Sequence, residues 1–123
     1  MADLLLDSDV VINILKKKEE TLKRLDEVGD QMLYLSPIVS AEIFAGIRPG
    51  ELDQIETLFS YFQPLQIDTE TGRIAGEYAN HFRKAYSGIS LEDYLIAASA
   101  RQHHLILWTY NRKHYPMQEI EFF

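Results

Sequence analysis

The sequence predicts an α/β protein, a three-layer α/β/α sandwich around a central, mainly parallel sheet of four or five strands. Two observations carry this. Short, uninterrupted apolar runs, Leu4-Leu5-Leu6 and Leu105-Ile106-Leu107-Trp108, have the character of strands buried on both faces. They are separated by longer segments whose apolar residues recur at helical spacing, so the strands are joined by helical crossovers, which make parallel neighbours.

Taken in order, the first strand is Leu4-Leu5-Leu6. Asp9 is the expected N-cap of a helix that starts over residues 10–15. The charged run Lys16-Lys17-Lys18-Glu19-Glu20 is a solvated break. The helical pattern resumes through Leu22, Leu25 and Val28 and stops at Gly29. Residues 32–35 form a second strand. Ser36-Pro37 opens the next helix, with Ser as N-cap and Pro in the first turn, running to about residue 47 before Pro49-Gly50. Leu52, Ile55, Phe59 and Phe62 then repeat at helical spacing.

Residues 64–67 read as a third, weaker strand. Asp68 or Thr69 caps a long helix with Ile74, Ala75, Tyr78, Ala79 and Phe82 on one face, broken by Ser87-Gly88. Ser90 caps a helix to about residue 103, and residues 105–108 make the fourth strand. The tail, residues 117–123, is a candidate edge strand. No repeat or low-complexity linker interrupts this order, and a single domain spanning residues 1–123 is expected.

Composition narrows the classes. Hydrophobic residues at 46% and charged residues at 25% are ordinary for a soluble globular chain. The absence of cysteine excludes disulfides and thiolate metal sites and fits a reducing compartment. A formal net charge of −7 counts against a nucleic-acid binder, although a bound divalent cation supplies local positive charge. The same charge suits a basic protein partner. There is no basic segment followed by an apolar one at the N-terminus, and no apolar run near the roughly 20 residues of a membrane helix. A cytoplasmic protein with no membrane partner is expected.

The chemistry points to three acids. Asp7 ends the first strand, Glu42 lies in the helix after the second, and Asp93 lies in the first turn of the helix leading to the fourth. Ligand sites in parallel sheets lie outside the carboxyl ends of the strands. Carboxylates gathered there repel one another, which makes a divalent metal the first candidate companion. Each acid also has a plain structural reading. Asp7 suits a turn, Glu42 suits a solvated helix face despite its apolar neighbours, and Ser90-Leu91-Glu92-Asp93 resembles a capping box. Thr109 and Asn111 follow the fourth strand.

Other chemistries find little support. The four histidines lack zinc-ligand spacing, and no Gly-rich phosphate loop is present. An acidic phosphoacceptor pocket would need a lysine after a later strand, for which only Lys113 offers itself. Trp108, Tyr110 and Tyr115 could stack on bases, but aromatics at a strand end are more often core. Lys16-Lys17-Lys18 reads as a solvated run. The apolar residues of the 10–15, 43–44 and 55–62 segments exceed one core-facing stripe, which suggests an exposed groove.

In order, these motifs resemble the PIN-domain family, most closely its small VapC-type toxins, over nearly the whole chain. Leu5-Leu6-Asp7-Ser8-Asp9-Val10-Val11-Ile12 looks like the family's opening strand, Asp and helix start. Ser40-Ala41-Glu42-Ile43-Phe44-Ala45-Gly46 looks like the second motif and residues 89–98 like the third. Leu107-Trp108-Thr109-Tyr110-Asn111 looks like the fourth. The resemblance implies a Mg²⁺- or Mn²⁺-dependent endoribonuclease that hydrolyses RNA phosphodiesters, with Asp7, Glu42 and Asp93 as catalytic and metal-holding acids. It implies Thr109 and Asn111 as the fourth motif, with Asn where many members have Asp, and Ser8 and Asp9 as residues around the metal's ligands. It also implies a homodimer and a cognate antitoxin, basic and DNA-binding. A catalytically silent binding module and a non-toxin RNA-processing nuclease of the same fold are the alternatives. The RNA-contacting residues are not legible.

Overall fold

The structure, a computed structural model, describes residues 2–123. Among the described residues the order is β1 (Leu4–Leu6), α1 (Ser8–Leu15), α2 (Glu19–Asp26), β2 (Leu33–Leu35), α3 (Pro37–Ala45), α4 (Leu52–Phe59) and β3 (Gln63–Pro64). It continues with α5 (Thr69–Phe82), α6 (Leu91–Gln102), β4 (Ile106–Trp108) and a 3-10 turn (Arg112–His114). The strands form one parallel sheet in the order β3-β2-β1-β4. Leu4, Leu5 and Leu6 are fully buried, as a strand with both faces covered requires.

This order places a reversal at β1. The chain steps from β1 to β2 to β3 in one direction, then crosses back through α5 and α6 to lay β4 on the other side of β1. With right-handed crossovers, the helices of the first two steps cover one face and α5–α6 the other. Helix α1 accordingly packs with α2, α3 and α4, while α5 packs along α6. The crevice between the carboxyl ends of β1 and β4 is the switch point at which such sheets bind ligands.

Several boundaries differ from the sequence expectation. Asp7, not Asp9, caps α1: the chain passes from β1 into the helix with Asp7 extended (φ −78°, ψ 162°), and its carboxylate accepts the Ser8 N–H. Helix α3 ends at Ala45, one residue before Gly46. The third strand is Gln63–Pro64, because only Tyr34 and Leu35 of β2 pair with it. The fifth strand shrinks to a single parallel bridge between Leu107 and Phe122, with Leu107 bonding Glu121 and Phe123 along the edge of β4. Asp68, not Thr69, caps α5, and Ser36-Pro37 and Ser90 open α3 and α6 as expected.

Candidate active site

Asp7 is the anchor of the site. It is 6% exposed, and its backbone N–H bonds the Trp108 carbonyl across the β1–β4 seam. Its Oδ1 accepts the Ser8 N–H at 2.8 Å. Its Oδ2 accepts the Thr109 hydroxyl at 2.8 Å and the Tyr115 hydroxyl at 2.9 Å. Three donors on a buried carboxylate hold it in one orientation. The N-terminus of α1 adds positive potential at the same point.

Asp93 approaches from α6. Its carboxylate caps its own helix and also reaches the crevice. Its Oδ2 accepts the Ser90 N–H at 3.1 Å while the Ser90 hydroxyl accepts the Asp93 N–H, a complete capping box. Its Oδ1 lies 3.4 Å from the Tyr115 hydroxyl, so this one phenol stands between Asp7 and Asp93. A phenol carries one proton, and the shorter contact gives it to Asp7. Burial and then the charges of Asp7 and Asp93 push the Tyr115 hydroxyl far above the usual phenol range, which keeps it a donor.

The fourth motif closes the far side. The Thr109 hydroxyl accepts the Asn111 N–H at 3.0 Å as it donates to Asp7. His114 Nδ1 lies 3.0 Å from Asp93 Oδ2 and 2.7 Å from the amide end of Asn111. One ring nitrogen cannot both donate to the carboxylate and accept from an amide N–H. Donation to Asp93 therefore pairs with the Asn111 amide oxygen turned toward the ring.

Glu42 stands on α3, the facing helix, and is reached through Ser8, whose hydroxyl donates to its Oε2 at 3.3 Å. Although exposed at the rim, its carboxyl is raised above the ordinary value. Partial desolvation is the main cause, the Ser8 bond opposes it, and the charges of Asp7, Asp93 and Glu92 add to it. Asp9 lies one step along α1. Its Oδ2 accepts the Tyr110 N–H at 3.1 Å, whereas its Oδ1 is buried with no partner. Desolvation first, and the Asp7 charge second, raise its pKa to about 6.

The structure thus collects Asp7, Ser8, Asp9, Glu42, Asp93, Thr109 and Asn111 on one rim. Among the described residues, no Lys or Arg forms an ion pair with any of the four acids. Among the described residues, no three His, Asp or Glu side chains converge at ligand distance as they stand. The donors still suit Mg²⁺ or Mn²⁺ in kind. They are oxygens carrying excess negative charge, one of them orphaned, and Mg²⁺ binds through one or two carboxylates while keeping several waters.

Comparison with known proteins gives this geometry its lineage. The profile of the PIN domain matches residues 4–120. The chain belongs to the PIN-domain family. Ribonuclease VapC10 of Mycobacterium tuberculosis is 33% identical to this PIN protein over 117 residues, covering 94% of this chain and 88% of the relative. Ribonuclease VapC19 of the same organism is 31% identical over 115 residues, covering 92% of each. The crystal structure of VapBC2 from Rickettsia felis bound to a promoter DNA fragment matches the fold with a TM-score of 0.84. It does so at 19% identity, over 98% of this chain and 96% of that one.

Two residues of this PIN site escape sequence reasoning. His114 has no ligand spacing and Tyr115 reads as a core aromatic, which at 2% exposure it also is. Their only signal is position, three and four residues after Asn111, where a tight turn folds them back over Asp93 and Asp7.

Proposed function

We propose that this PIN protein is a Mg²⁺- or Mn²⁺-dependent endoribonuclease and the toxin half of a toxin–antitoxin pair. Asp7, Glu42 and Asp93 are its metal-holding and catalytic acids. The observation that carries the reading is the meeting of Asp7 and Asp93 at one hydroxyl in the strand-switch crevice, with Glu42 on the facing helix. The ribonuclease names of the VapC relatives support RNA as substrate.

A hard divalent cation held by these oxygens would supply positive charge against the negative charge that develops on the phosphate and would lower the pKa of an attacking water. The rest belongs to the protein. Asp7, fixed by three donors and with lone-pair capacity left on Oδ1, anchors the site. Asp93 and Glu42 each keep an oxygen outside the bonds that hold them and are placed to take the proton of water as its oxygen bonds phosphorus. The ester oxygen that leaves takes a proton from solvent, so the net reaction is hydrolysis. Ser8, Thr109, Asn111 and Asp9 are positioning residues. Nuclease assays on structured RNA test this. Cleavage should require Mg²⁺ or Mn²⁺ and be lost in Asp7→Asn, Glu42→Gln and Asp93→Asn, and full cleavage by all three folded variants overturns the assignment.

The partner reading rests on a groove of about 380 Å³ between α1, α3 and α4, lined by Ile12, Leu15, Ile43, Ile47 and Ile55 with Glu42 at its rim. An amphipathic segment of a basic antitoxin fits it, its Arg or Lys reaching Glu42, with two toxin subunits pairing in the cytoplasm. Co-expression with the adjacent small gene and size-exclusion chromatography should return one complex. A monomer that binds nothing from that operon and leaves growth unchanged defeats the toxin role.

A further inference from the structure

We infer that the cavity beside Tyr110 is a nucleobase subsite, which seats a base of the RNA strand next to the scissile phosphate. The inference rests on the ribonuclease reading above and deepens it. The cavity, about 330 Å³, opens against the acid rim, since Thr109 lines it and bonds Asp7. Glu20, Arg24, Tyr110, Arg112 and Phe123 complete its wall, and buried Trp108 forms part of its lining.

Tyr110 departs from its neighbours. Trp108 and Tyr115 are core, but Tyr110 is 45% exposed. It is nevertheless held at both ends. Its N–H bonds Asp9, and its hydroxyl lies 2.7 Å from that of Thr21, itself buried on α2. An aromatic face left in solvent yet fixed in place is a stacking platform whose ordering cost folding has already met.

Charge agrees. The chain is acidic and its metal pocket repels a polyanion, so the strand needs cations close by. Arg112 donates to the Phe123 carbonyl and lies over the Phe122 ring, and no Asp or Glu side chain among the described residues pairs with it or with Lys113. Arg24 stacks on Phe123 but is offset by Glu27, so among the described lining residues Arg112 is the cation without an acidic partner, and Glu20 is the acid of the wall. Glu20 disfavours a phosphate inside the cavity and accepts from the amino edge of a base. Base inward, backbone along Arg112 and Lys113, is the arrangement these charges allow.

The test uses the Asp7→Asn protein, which should bind without cutting, and fluorescein-labelled single-stranded 12-mer RNA. Tyr110→Leu in that background should weaken binding about tenfold, within the range for loss of one stacked base, and Tyr110→Trp should restore it. Arg112→Gln should weaken binding to every sequence and flatten the salt dependence by about 0.7 in log–log slope. The chain's single tryptophan, Trp108, reports the same event without touching Tyr110: its emission should change when RNA is added to wild-type protein in EDTA. Tight binding that survives Tyr110→Leu, or RNA that binds and leaves Trp108 emission unchanged, overturns the subsite alone. Asp7→Asn protein that binds no RNA at low salt overturns the subsite and the ribonuclease reading together.

Discussion

The Tyr115 hydroxyl is the smallest part of this protein with a large consequence. It bonds one buried carboxylate and faces a second, in a site where no Lys or Arg among the described residues forms an ion pair with either. Tyr115→Phe should lower the stability of the metal-free protein by about 1.5–3 kcal/mol, the worth of a hydrogen bond to a charged group. Denaturant titration checks it, and the loss should shrink in millimolar Mg²⁺. Asp9 predicts the opposite sign. Its pKa is raised to about 6, so between the ordinary carboxylate range and pH 6 the folded state binds more protons than the unfolded one. Its contribution is therefore favourable in acid and lost as pH rises through about 6. Asp9→Asn should raise the metal-free melting temperature at pH 7, with a smaller gain at pH 5. An equal gain at both would show that charge is not the cause.

At the scale of the element, helix N-termini organise the acids. Asp7 caps α1 and Asp93 sits in the first turn of α6, so two helix dipoles offset part of the repulsion in the site. A cap bond and a place in the crevice coexist in Asp93 because a carboxylate has two oxygens, one for Ser90 and one toward Tyr115. The cap of α5 gives a clean comparison away from the site. Asp68 is held below its ordinary pKa, chiefly by the Thr71 N–H and then by the Gln102 amide, so the folded state favours its charged form. That stabilisation is present above the ordinary carboxylate range and lost as pH falls through the folded value. Asp68→Ala should melt at a lower temperature than the parent at pH 7, and the gap should narrow below pH about 4. A gap that is constant from pH 7 to pH 3 would mean that charge plays no part in the cap.

At the scale of the molecule, the sheet order decides where function sits. Only the return of the chain across β1 sets β4 beside it and brings residues 109–115 over Asp7. A cation held by these oxygens binds the folded state alone, so mass action should raise the melting temperature in Mn²⁺ or Mg²⁺. Millimolar metal should shift the parent and shift Asp7→Asn and Asp93→Asn less. No shift in any of them would remove the metal from the site. The same topology leaves two concave surfaces beside the acids: the groove of α1, α3 and α4, and the aromatic cavity beside β4.

The sequence by itself determined the alternation of strands and helices, because burial on both faces leaves an apolar run and burial on one leaves a 3.6-residue stripe. It determined the caps Ser36 and Ser90 through short-range bonds between residues two or three apart. It also marked Asp7 as an acid at a strand end, and Glu42 and Asp93 as acids in helices next to the strands. Where Asp9 and Asp7 compete as caps, the pattern misled, because the strand enters the helix without a loop. Tertiary structure alone decided that α6 returns Asp93 to the strand ends, that His114 and Tyr115 turn back onto the acids, and that Tyr110 stays in solvent while Trp108 does not. Those contacts join residues 21 to 108 positions apart, and no local periodicity encodes a distance that the crossover sets.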